Sequence, residues 1–273
     1  MILVTGATGN VGREVVKLLL ARGNEVTAVT RNPATAMLPN GARVAEGDPS
    51  IPNTLKSALR GVEAVLVSPR ALGQADGGRH GAHDGATVEL MALAAEQGVQ
   101  RVVVLSAATV QHGGGEGRFA DGFKAVEDAV KACGLQWTFL RSTDYATNTL
   151  MWAQQIRSSG VVRGAYGDAA TSTIAERDIA AVGVLALENS DHAGHAYVLS
   201  GPQSLTQRDK VRLIGEATGQ QVSWEELSPQ QVRQAMIAQG MPEDVPDRML
   251  AYLGERVQQP GPSSDTVEQL LGR

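Results

Sequence analysis

The feature that most constrains the fold of this chain is a glycine pattern near its first residue. The apolar run Ile2–Thr5 leads directly into Gly6, Gly9 and Gly12, and an amphipathic helix pattern begins at once. A strand, a tight turn and a helix N-terminus in this order form a site for a pyrophosphate, because glycine permits both the turn and a close backbone approach. The alternative is an ordinary glycine-rich turn. The strand before the pattern and the helix after it favour a dinucleotide site. We expect the cofactor to contact Gly6, Thr8, Gly9, Asn10, Val11 and Gly12.

Apolar runs alternate with helical stretches along the chain. The predicted strands are Ile2–Thr5, Glu25–Thr30, Arg43–Glu46, Ala64–Ser68, Arg101–Ser106, Trp137–Leu140 and His195–Ser200. The runs Ala64–Val67 and Val102–Leu105 are continuously apolar, which is typical of strands buried on both faces. Short connections between alternating strands and helices indicate parallel strands with right-handed crossovers. The sequence therefore predicts an α/β fold with a Rossmann-like, doubly wound parallel sheet.

The strand and helix alternation loosens after Asn148. Thr206 and Ser228 have the pattern of helix N-caps. We expect residues 1–150 to form an NADP(H)-binding domain. We expect residues 151–273 to form a smaller, mostly helical substrate-binding lobe, with the strand near residue 195 returning to the main sheet. Glycine-rich segments at residues 71–85 and 111–122 follow predicted strands, and either lids over a site or plain surface loops fit them equally well.

The composition excludes several classes of function. The formal net charge of -5 provides no basic surface for a nucleic acid, and no apolar run approaches the ~20 residues that span a bilayer. A single cysteine, Cys133, fits a reducing compartment, and no signal peptide precedes the first strand, so we expect a cytoplasmic protein. His80, His83, His192 and His195 lack a neighbouring cluster of Cys or carboxylate groups, so we expect no metal site.

The end of the second strand distinguishes between the two nicotinamide cofactors. An NAD site places Asp or Glu there to bind the ribose 2′-hydroxyl, whereas this chain has Thr30 followed by Arg31. No carboxylate repels a 2′-phosphate at this point, and Arg31 can form charge-assisted contacts with one. The sequence therefore favours NADPH. Asp48, at the end of the third strand, lies either near the adenine or in a turn that it forms itself.

These segments resemble the NmrA-like group of atypical short-chain dehydrogenase/reductases. The likeness rests on Thr5–Gly12, Thr30–Pro33 and Gly47-Asp48, and it continues in Phe123–Glu127, Trp137–Arg141, Thr143–Asn148, Glu176–Ala181 and Tyr197–Pro202. The resemblance implies a Rossmann-like domain, a small C-terminal lobe and a cleft between them. Members of the group include NADPH-dependent quinone reductases, reductases of secondary metabolites, and dinucleotide-binding regulators without turnover.

The resemblance also carries expectations for single residues. Short-chain dehydrogenases use Tyr-x-x-x-Lys, in which the tyrosine passes a proton to the carbonyl oxygen. Here Lys124 stands at the lysine position and Ala120 at the tyrosine position, so the usual proton donor is missing. Lys124 would contact the nicotinamide ribose or a substrate oxygen. Ser68 and Ser106, at the ends of the fourth and fifth strands, complete the expected cofactor contacts, with Ser106 either capping its strand or touching the nicotinamide. Tyr145 is the candidate to stack on a flat substrate or to donate a proton, and the alternative is a core tyrosine with a satisfied hydroxyl.

Hydride delivery to a quinone needs little acid catalysis, because the product is a stabilised anion. We therefore expect an NADPH-dependent oxidoreductase that transfers a hydride to a quinone-like or conjugated carbonyl compound, with Lys124 and Tyr145 as catalytic residues. One alternative is a non-catalytic regulator that senses NADP(H). Another is a biosynthetic reductase of an aromatic metabolite. The expected partner is a small-molecule substrate, with neither nucleic acid nor membrane, and the expected assembly is a monomer or homodimer.

Overall fold

The computed structural model describes residues 1–73, 83–112 and 118–273. Its strands, in chain order, are β1 (Ile2–Val4), β2 (Val26–Thr30), β3 (Arg43–Glu46), β4 (Ala64–Val67), β5 (Arg101–Ala107), β6 (Gln136–Ser142), β7 (Val161–Gly164), β8 (Ala170–Thr171), β9 (His195–Leu199), β10 (Leu205–Thr206) and β11 (Ser223–Glu226).

The helices in the same residues alternate with these strands. They are α1 (Asn10–Ala21), α2 (Pro69–Leu72), α3 (His83–Glu96), α4 (Thr109–His112), α5 (Arg118–Ala132), α6 (Ala153–Ser159), α7 (Glu176–Glu188), α8 (Gln207–Thr218), α9 (Pro229–Ala238), α10 (Asp244–Gln258) and α11 (Thr266–Leu271). Short 3-10 turns occur at Pro33–Thr35, Pro52–Leu55, Ala146–Trp152 and Ser190–His192.

The main sheet has seven strands in the order β3-β2-β1-β4-β5-β6-β9, and every neighbouring pair is parallel. This arrangement confirms the doubly wound parallel sheet expected from the sequence. Both faces of the central strands are buried, as their unbroken apolar runs predict. Strand β6 extends beyond its predicted end at Leu140 to Ser142, because Arg141 pairs with a buried carboxylate and Ser142 is itself buried.

Helices cover both faces of this sheet. On one face α1 packs against α7, and Val15, Leu19 and Ile179 lie in a shared apolar core with the alternate residues of the strands. On the other face α3 packs against α5, with Met91 and Val126 fully buried. The predicted strand His195–Ser200 is present as β9 and pairs with β6 at one edge of the sheet.

The remaining elements after residue 150 form small units beside the sheet. Strands β7 and β11 form one two-stranded ladder, and β8 and β10 form another. Trp152, Val162 and Val211 make a separate apolar cluster among them. Helices α8 and α9 begin with reciprocal hydrogen bonds at Thr206 and Ser228, which confirms the two N-caps predicted from the sequence.

Parts of the two glycine-rich segments lie outside the described residues. Residues 74–82, which include His80, and residues 113–117 belong to that part, and so does the side chain of His83. The described flanks are short helices, α2 before the first gap and α4 before the second.

Candidate active site

Glycine is required twice in the loop between β1 and α1. Gly6 has a φ of 62°, which favours glycine, and a Cβ on it would lie 2.7 Å from the Cβ of Ser68. A Cβ on Gly12 would lie 2.2 Å from the Gly6 carbonyl oxygen. A Cβ on Gly9 would meet only that same oxygen, at 3.2 Å. Gly6 and Gly12 therefore allow the loop to close on itself, and Gly9 leaves its outer face open.

The N-terminus of α1 is left without a side-chain cap. Its N-cap residue is Gly9, and no acidic residue occurs in its first turn. Unpaired N–H groups and the helix dipole make such an end attractive to an anion. Thr8 and Gly9 are exposed beside it, whereas the Val11 side chain is buried in the core, so that only the backbone of Val11 is available to a ligand.

A cleft of about 280 Å³ lies along this loop at the carboxyl edge of the sheet. Its walls come from the glycine loop, the ends of β2 and β3, and the start of α2; the lining residues are Gly6, Thr8, Val29, Thr30, Arg31, Asn32, Thr35, Ala36, Gly47, Pro49 and Ala71. Arg31 is exposed, and no carboxylate of the described residues forms an ion pair with it. An open glycine cradle, an uncapped helix end and an unpaired arginine fit a phosphorylated dinucleotide.

Asp48 lies between the cleft residues Gly47 and Pro49, but its carboxylate accepts hydrogen bonds from a residue of its own turn. Its Oδ1 accepts hydrogen bonds from the backbone N–H of Ser50 at 2.9 Å and from the Ser50 hydroxyl at 2.8 Å. The backbone N–H of Asp48 donates to the Thr54 hydroxyl at 2.9 Å. These bonds make Asp48 a turn-forming residue that shapes the cleft wall formed by Gly47 and Pro49.

Tyr145 follows β6, and its side chain packs, partly buried, against the apolar core on the α1 and α7 face of the sheet. Burial raises the pKa of the Tyr145 phenol. The Ser142 hydroxyl and the charge of Arg70 act in the opposite direction, while the charge of Glu176 adds to the rise. Arg70 lies on α2, directly beside the cleft residue Ala71. The phenol therefore stays protonated at neutral pH, with the charge of Arg70 acting on it.

The segment that carries Tyr145 is held by an ion pair with the C-terminal half. The Lys210 ammonium lies 2.7 Å from Asp144 Oδ2 and donates to the Thr171 hydroxyl at 2.5 Å. Burial on its own would raise the pKa of the Asp144 carboxyl, but Lys210 and the hydrogen bonds from Asn148 and Thr171 hold that pKa below its ordinary value. Lys210 is only 5% exposed, so this pair ties α8 firmly to the end of β6.

Ser106 and Lys124 lie on β5 and α5. The Ser106 hydroxyl donates to Glu127 Oε1 at 2.7 Å, and Arg141 binds the same carboxylate through Nε and Nη2. Ser106 therefore connects β5 to α5. Lys124 is exposed and forms a hydrogen bond with Asp128 at 2.5 Å, which raises the pKa of its ammonium group.

The structure thus brings Gly6, Thr8 and Arg31 into one cleft and places Ser68 against Gly6. Sequence reasoning missed Arg70, Thr147, Glu176 and Lys210. The segments Thr143–Asn148 and Glu176–Ala181 carried part of the family resemblance, but nothing in the sequence showed that their side chains contact each other. No group of His, Cys, Asp or Glu in the described ranges has the arrangement of a metal site. None of the helices described here is long and apolar enough to cross a membrane.

The fold and cleft define a dinucleotide-binding α/β protein, and comparison with known proteins identifies its family. The model of a family described as NAD(P)H-binding matches residues 6–190, so the chain belongs to that NAD(P)H-binding family.

Three relatives show what kind of protein this family contains. The chain is 35% identical to the (4-alkanoyl-5-oxo-2,5-dihydrofuran-3-yl)methyl phosphate reductase of Streptomyces griseus, with 100% of this chain and 93% of that protein covered. It is 34% identical to the NAD(P)H azoreductase of Xenophilus azovorans, with 91% and 85% covered. The structure of the NADPH-dependent quinone oxidoreductase QOR2 of Escherichia coli, complexed with NADPH, matches with a TM-score of 0.81, 26% identity, and 100% and 95% of the two chains covered.

The chain is accordingly an NAD(P)H-dependent oxidoreductase that acts on a small molecule, related to the quinone reductases of the NmrA-like group. This confirms the resemblance, the cofactor and the reaction class expected from the sequence. A non-catalytic sensor of NADP(H) is not favoured.

Proposed function

We propose that this protein uses NADPH to reduce a quinone-like or conjugated carbonyl compound by hydride transfer. The observation that carries the proposal is the combination of an intact nucleotide cleft with Ala120 where a short-chain dehydrogenase has its tyrosine. Without that tyrosine, a simple ketone lacks the strong acid that protonates its oxygen in the short-chain dehydrogenases, whereas a conjugated acceptor spreads the arriving charge over its own atoms and needs only a weak donor. The names of three relatives refer to quinones, azo compounds and an alkanoyl-dihydrofuranone. All three are conjugated acceptors.

We assign the nucleotide end of the cleft to the glycine loop and Arg31. The uncapped start of α1 binds the pyrophosphate through backbone N–H groups, and Arg31 selects the 2′-phosphate of NADPH. When bound, NADPH supplies the hydride. Ser68 and Asp48 shape the two sides of this end, and Lys124 binds the nicotinamide ribose after leaving its exposed pair with Asp128.

Tyr145 and Arg70 act on the acceptor. The acceptor oxygen that gains charge takes the phenolic proton of Tyr145, which is then replaced from water, so that one hydride and one proton complete the reduction. Because burial raises the pKa of this phenol, it holds its proton at neutral pH and serves as a hydrogen-bond donor. The charge of Arg70 acts on this phenol, and in the proposed reaction it stabilises the anionic product.

The acceptor lobe comes from the later part of the chain. We propose a division near residue 150, after which α6, α8, α9 and α10 form the substrate-binding lobe while β9 returns to the main sheet. We also propose a cytoplasmic monomer or homodimer that does not bind nucleic acid, supported by the single Cys133 and the net charge of -5. Light scattering of the purified protein measures the assembly.

The test is the loss of NADPH absorbance in the presence of a panel of quinones and azo dyes, with NADH in parallel. We expect saturable oxidation that is faster with NADPH. Tyr145→Phe should lower kcat about tenfold, which is less than general acid catalysis usually contributes because a conjugated acceptor needs little proton donation, with little change in the Kd for NADPH. Tyr197→Phe is the matched control, since it removes a hydroxyl that hydrogen-bonds His192 beside the edge strand β9. An absence of turnover with every conjugated acceptor, while NADPH binds, would refute the proposal.

A further inference from the structure

A chain of hydrogen bonds joins the nucleotide loop to the segment that carries Tyr145. Asn10, the first residue of α1, donates from Nδ2 to the Thr147 hydroxyl at 2.9 Å. That hydroxyl donates its proton to Glu176 Oε1, and the backbone N–H of Thr147 donates to the same carboxylate oxygen at 3.0 Å. Asn10 and Thr147 are 137 residues apart in the sequence, so the tertiary fold alone creates this link.

The roles in this chain follow from donor and acceptor chemistry. A threonine hydroxyl has one proton, and here Glu176 accepts it, so the hydroxyl can only accept from Asn10. Glu176 is 8% exposed and begins α7, which packs beside α1. The carboxylate is therefore a fixed anchor. Asn10 itself is exposed and retains a second amide hydrogen and its Oδ1 for a ligand at the helix start.

The other side of the same segment is attached to the later half of the chain. Asp144 pairs with Lys210, its carbonyl accepts the backbone N–H of Ile174 at 2.8 Å, and the N–H of Ala146 donates to the Ile174 carbonyl at 2.9 Å. Tyr145 lies between these bonds and Thr147. Among the described hydrogen bonds of residues 144–148, the bond of the Thr147 hydroxyl reaches the start of α1.

We infer that Thr147 is a positioning residue that couples dinucleotide binding at α1 to the placement of residues 144–148. A dinucleotide that orders Asn10 thereby orders this segment, and the acceptor site becomes complete only after the cofactor has bound. The role of Tyr145 in this statement rests on the proposed function; the coupling itself does not. Its consequence for the reaction is an ordered sequence in which cofactor binding precedes acceptor binding.

Amide hydrogen exchange tests the coupling with NADP⁺ as the only probe. In the wild-type protein, saturating NADP⁺ should slow exchange in a peptide covering residues 143–149 by about tenfold, equivalent to ~1.4 kcal/mol. In Thr147→Val the Kd for NADP⁺ should change by less than about threefold while this protection is lost. Thr147→Ser keeps the hydroxyl and should restore it. Thr149→Val is the control, because the Thr149 hydroxyl bonds only the Ala146 carbonyl within the same turn.

Two results would overturn the inference. One is NADP⁺ binding to the wild type with no change in exchange at residues 143–149. The other is full protection of that peptide in Thr147→Val. Asn10→Ala removes the same link from the opposite side and is expected to weaken NADP⁺ binding as well. If Thr147→Val does not fold, protection of residues 143–149 is therefore measured in Asn10→Ala at an NADP⁺ concentration that saturates this variant. No acceptor enters these measurements, so a protein that reduces no quinone can still show the coupling.

Discussion

The two ends of the proposed site, the nucleotide end at the glycine loop and the acceptor end at Tyr145, are held by different kinds of interaction. At the nucleotide end, Gly12 packs against the backbone of Gly6 within one loop, and Gly6 in turn lies against the Ser68 side chain. The helix end there is left uncapped. At the Tyr145 end, the ties are side-chain pairs such as Lys210 with Asp144, 66 residues apart. The nucleotide end is thus a local structure that tolerates no added atom. The acceptor end is a tertiary structure whose strength depends on buried polar pairs.

Helix starts show the same difference. Helix α8 begins with Thr206 and Asp209 bonded to each other's backbone, which satisfies its first N–H groups. Helix α1 begins at Gly9 without such bonds. Because a capped end offers few free donors, α1 keeps free N–H groups that can bind an anion. At α8 the side-chain cap stabilises the helix instead.

The largest expected effect is that of Gly12→Ala at the nucleotide end. The new Cβ would meet the Gly6 carbonyl oxygen at 2.2 Å and the Ala7 Cα at 3.0 Å, and both atoms are backbone. We expect a loss of about 3 kcal/mol in unfolding free energy, at the upper end for overpacking, together with loss of NADPH binding. Urea unfolding and NADPH fluorescence titration measure the two quantities.

Gly85→Ala is the matched control for this change. Gly85 lies in α3 with open space where a Cβ would be placed. Alanine there should stabilise the protein by up to about 1 kcal/mol, because it has the higher helix propensity. A Gly12→Ala protein as stable as the wild type would show that the loop can rearrange, and the contrast between the two ends of the proposed site would fail.

These differences explain what could be predicted from sequence. The glycine loop and the N-cap at Ser228 depend on residues within one turn of each other, so their patterns are visible in the chain. The bond from Ser106 to Glu127 joins a strand to a helix and has no local signature. For the same reason the predicted end of β6 was too early, since the partner of Arg141 is known only from the fold. The proximity of Arg70 to Tyr145 was equally hidden.

The second prediction concerns removal of the Asp144–Lys210 ion pair at the acceptor end. Lys210→Met leaves Asp144 with hydrogen bonds from Asn148, Thr171 and Thr173 but without its cation. Loss of one partner of a fully buried pair costs several kcal/mol, and because Asp144 is 20% exposed we expect about 2 kcal/mol here. Urea unfolding measures it. Lys17→Met, at an exposed pair with Glu14, should change stability by less than about 0.5 kcal/mol. Equal effects of the two variants would contradict the buried role of Lys210.

The third prediction concerns cofactor selection by Arg31. Arg31→Glu places a carboxylate in the cleft and should weaken NADPH binding about twentyfold, or ~1.8 kcal/mol, with NADH affected by less than about threefold. Arg43→Glu is the control, because Arg43 is also exposed but begins β3. It therefore lies at the amino ends of the parallel strands, whereas Arg31 follows the carboxyl end of β2. Equal losses of NADPH and NADH affinity in Arg31→Glu would remove the assigned role.

The smallest expected effect is the pH dependence of the Asp144–Lys210 pair. The pKa of the Asp144 carboxyl is held below its ordinary value of 3.8, so the unfolded chain binds this proton more readily than the folded protein does. The pair's contribution is therefore present above pH 3.8 and is lost as the pH falls through the lower, folded-state pKa. Stability of the wild type minus that of Lys210→Met should be constant near neutral pH and shrink in this acidic range.

Comparing the stability of the wild type with that of Lys210→Met at each pH isolates the titration of the Asp144 carboxyl. Other acids with lowered pKa values, such as Glu188 and Asp247, titrate in both proteins and cancel in the difference. A difference that stays constant as the pH falls would mean that Lys210 does not lower the pKa of the Asp144 carboxyl and acts through packing alone. The acceptor end would then be held by contacts of the same kind as the nucleotide end, and the contrast between them would reduce to sequence distance.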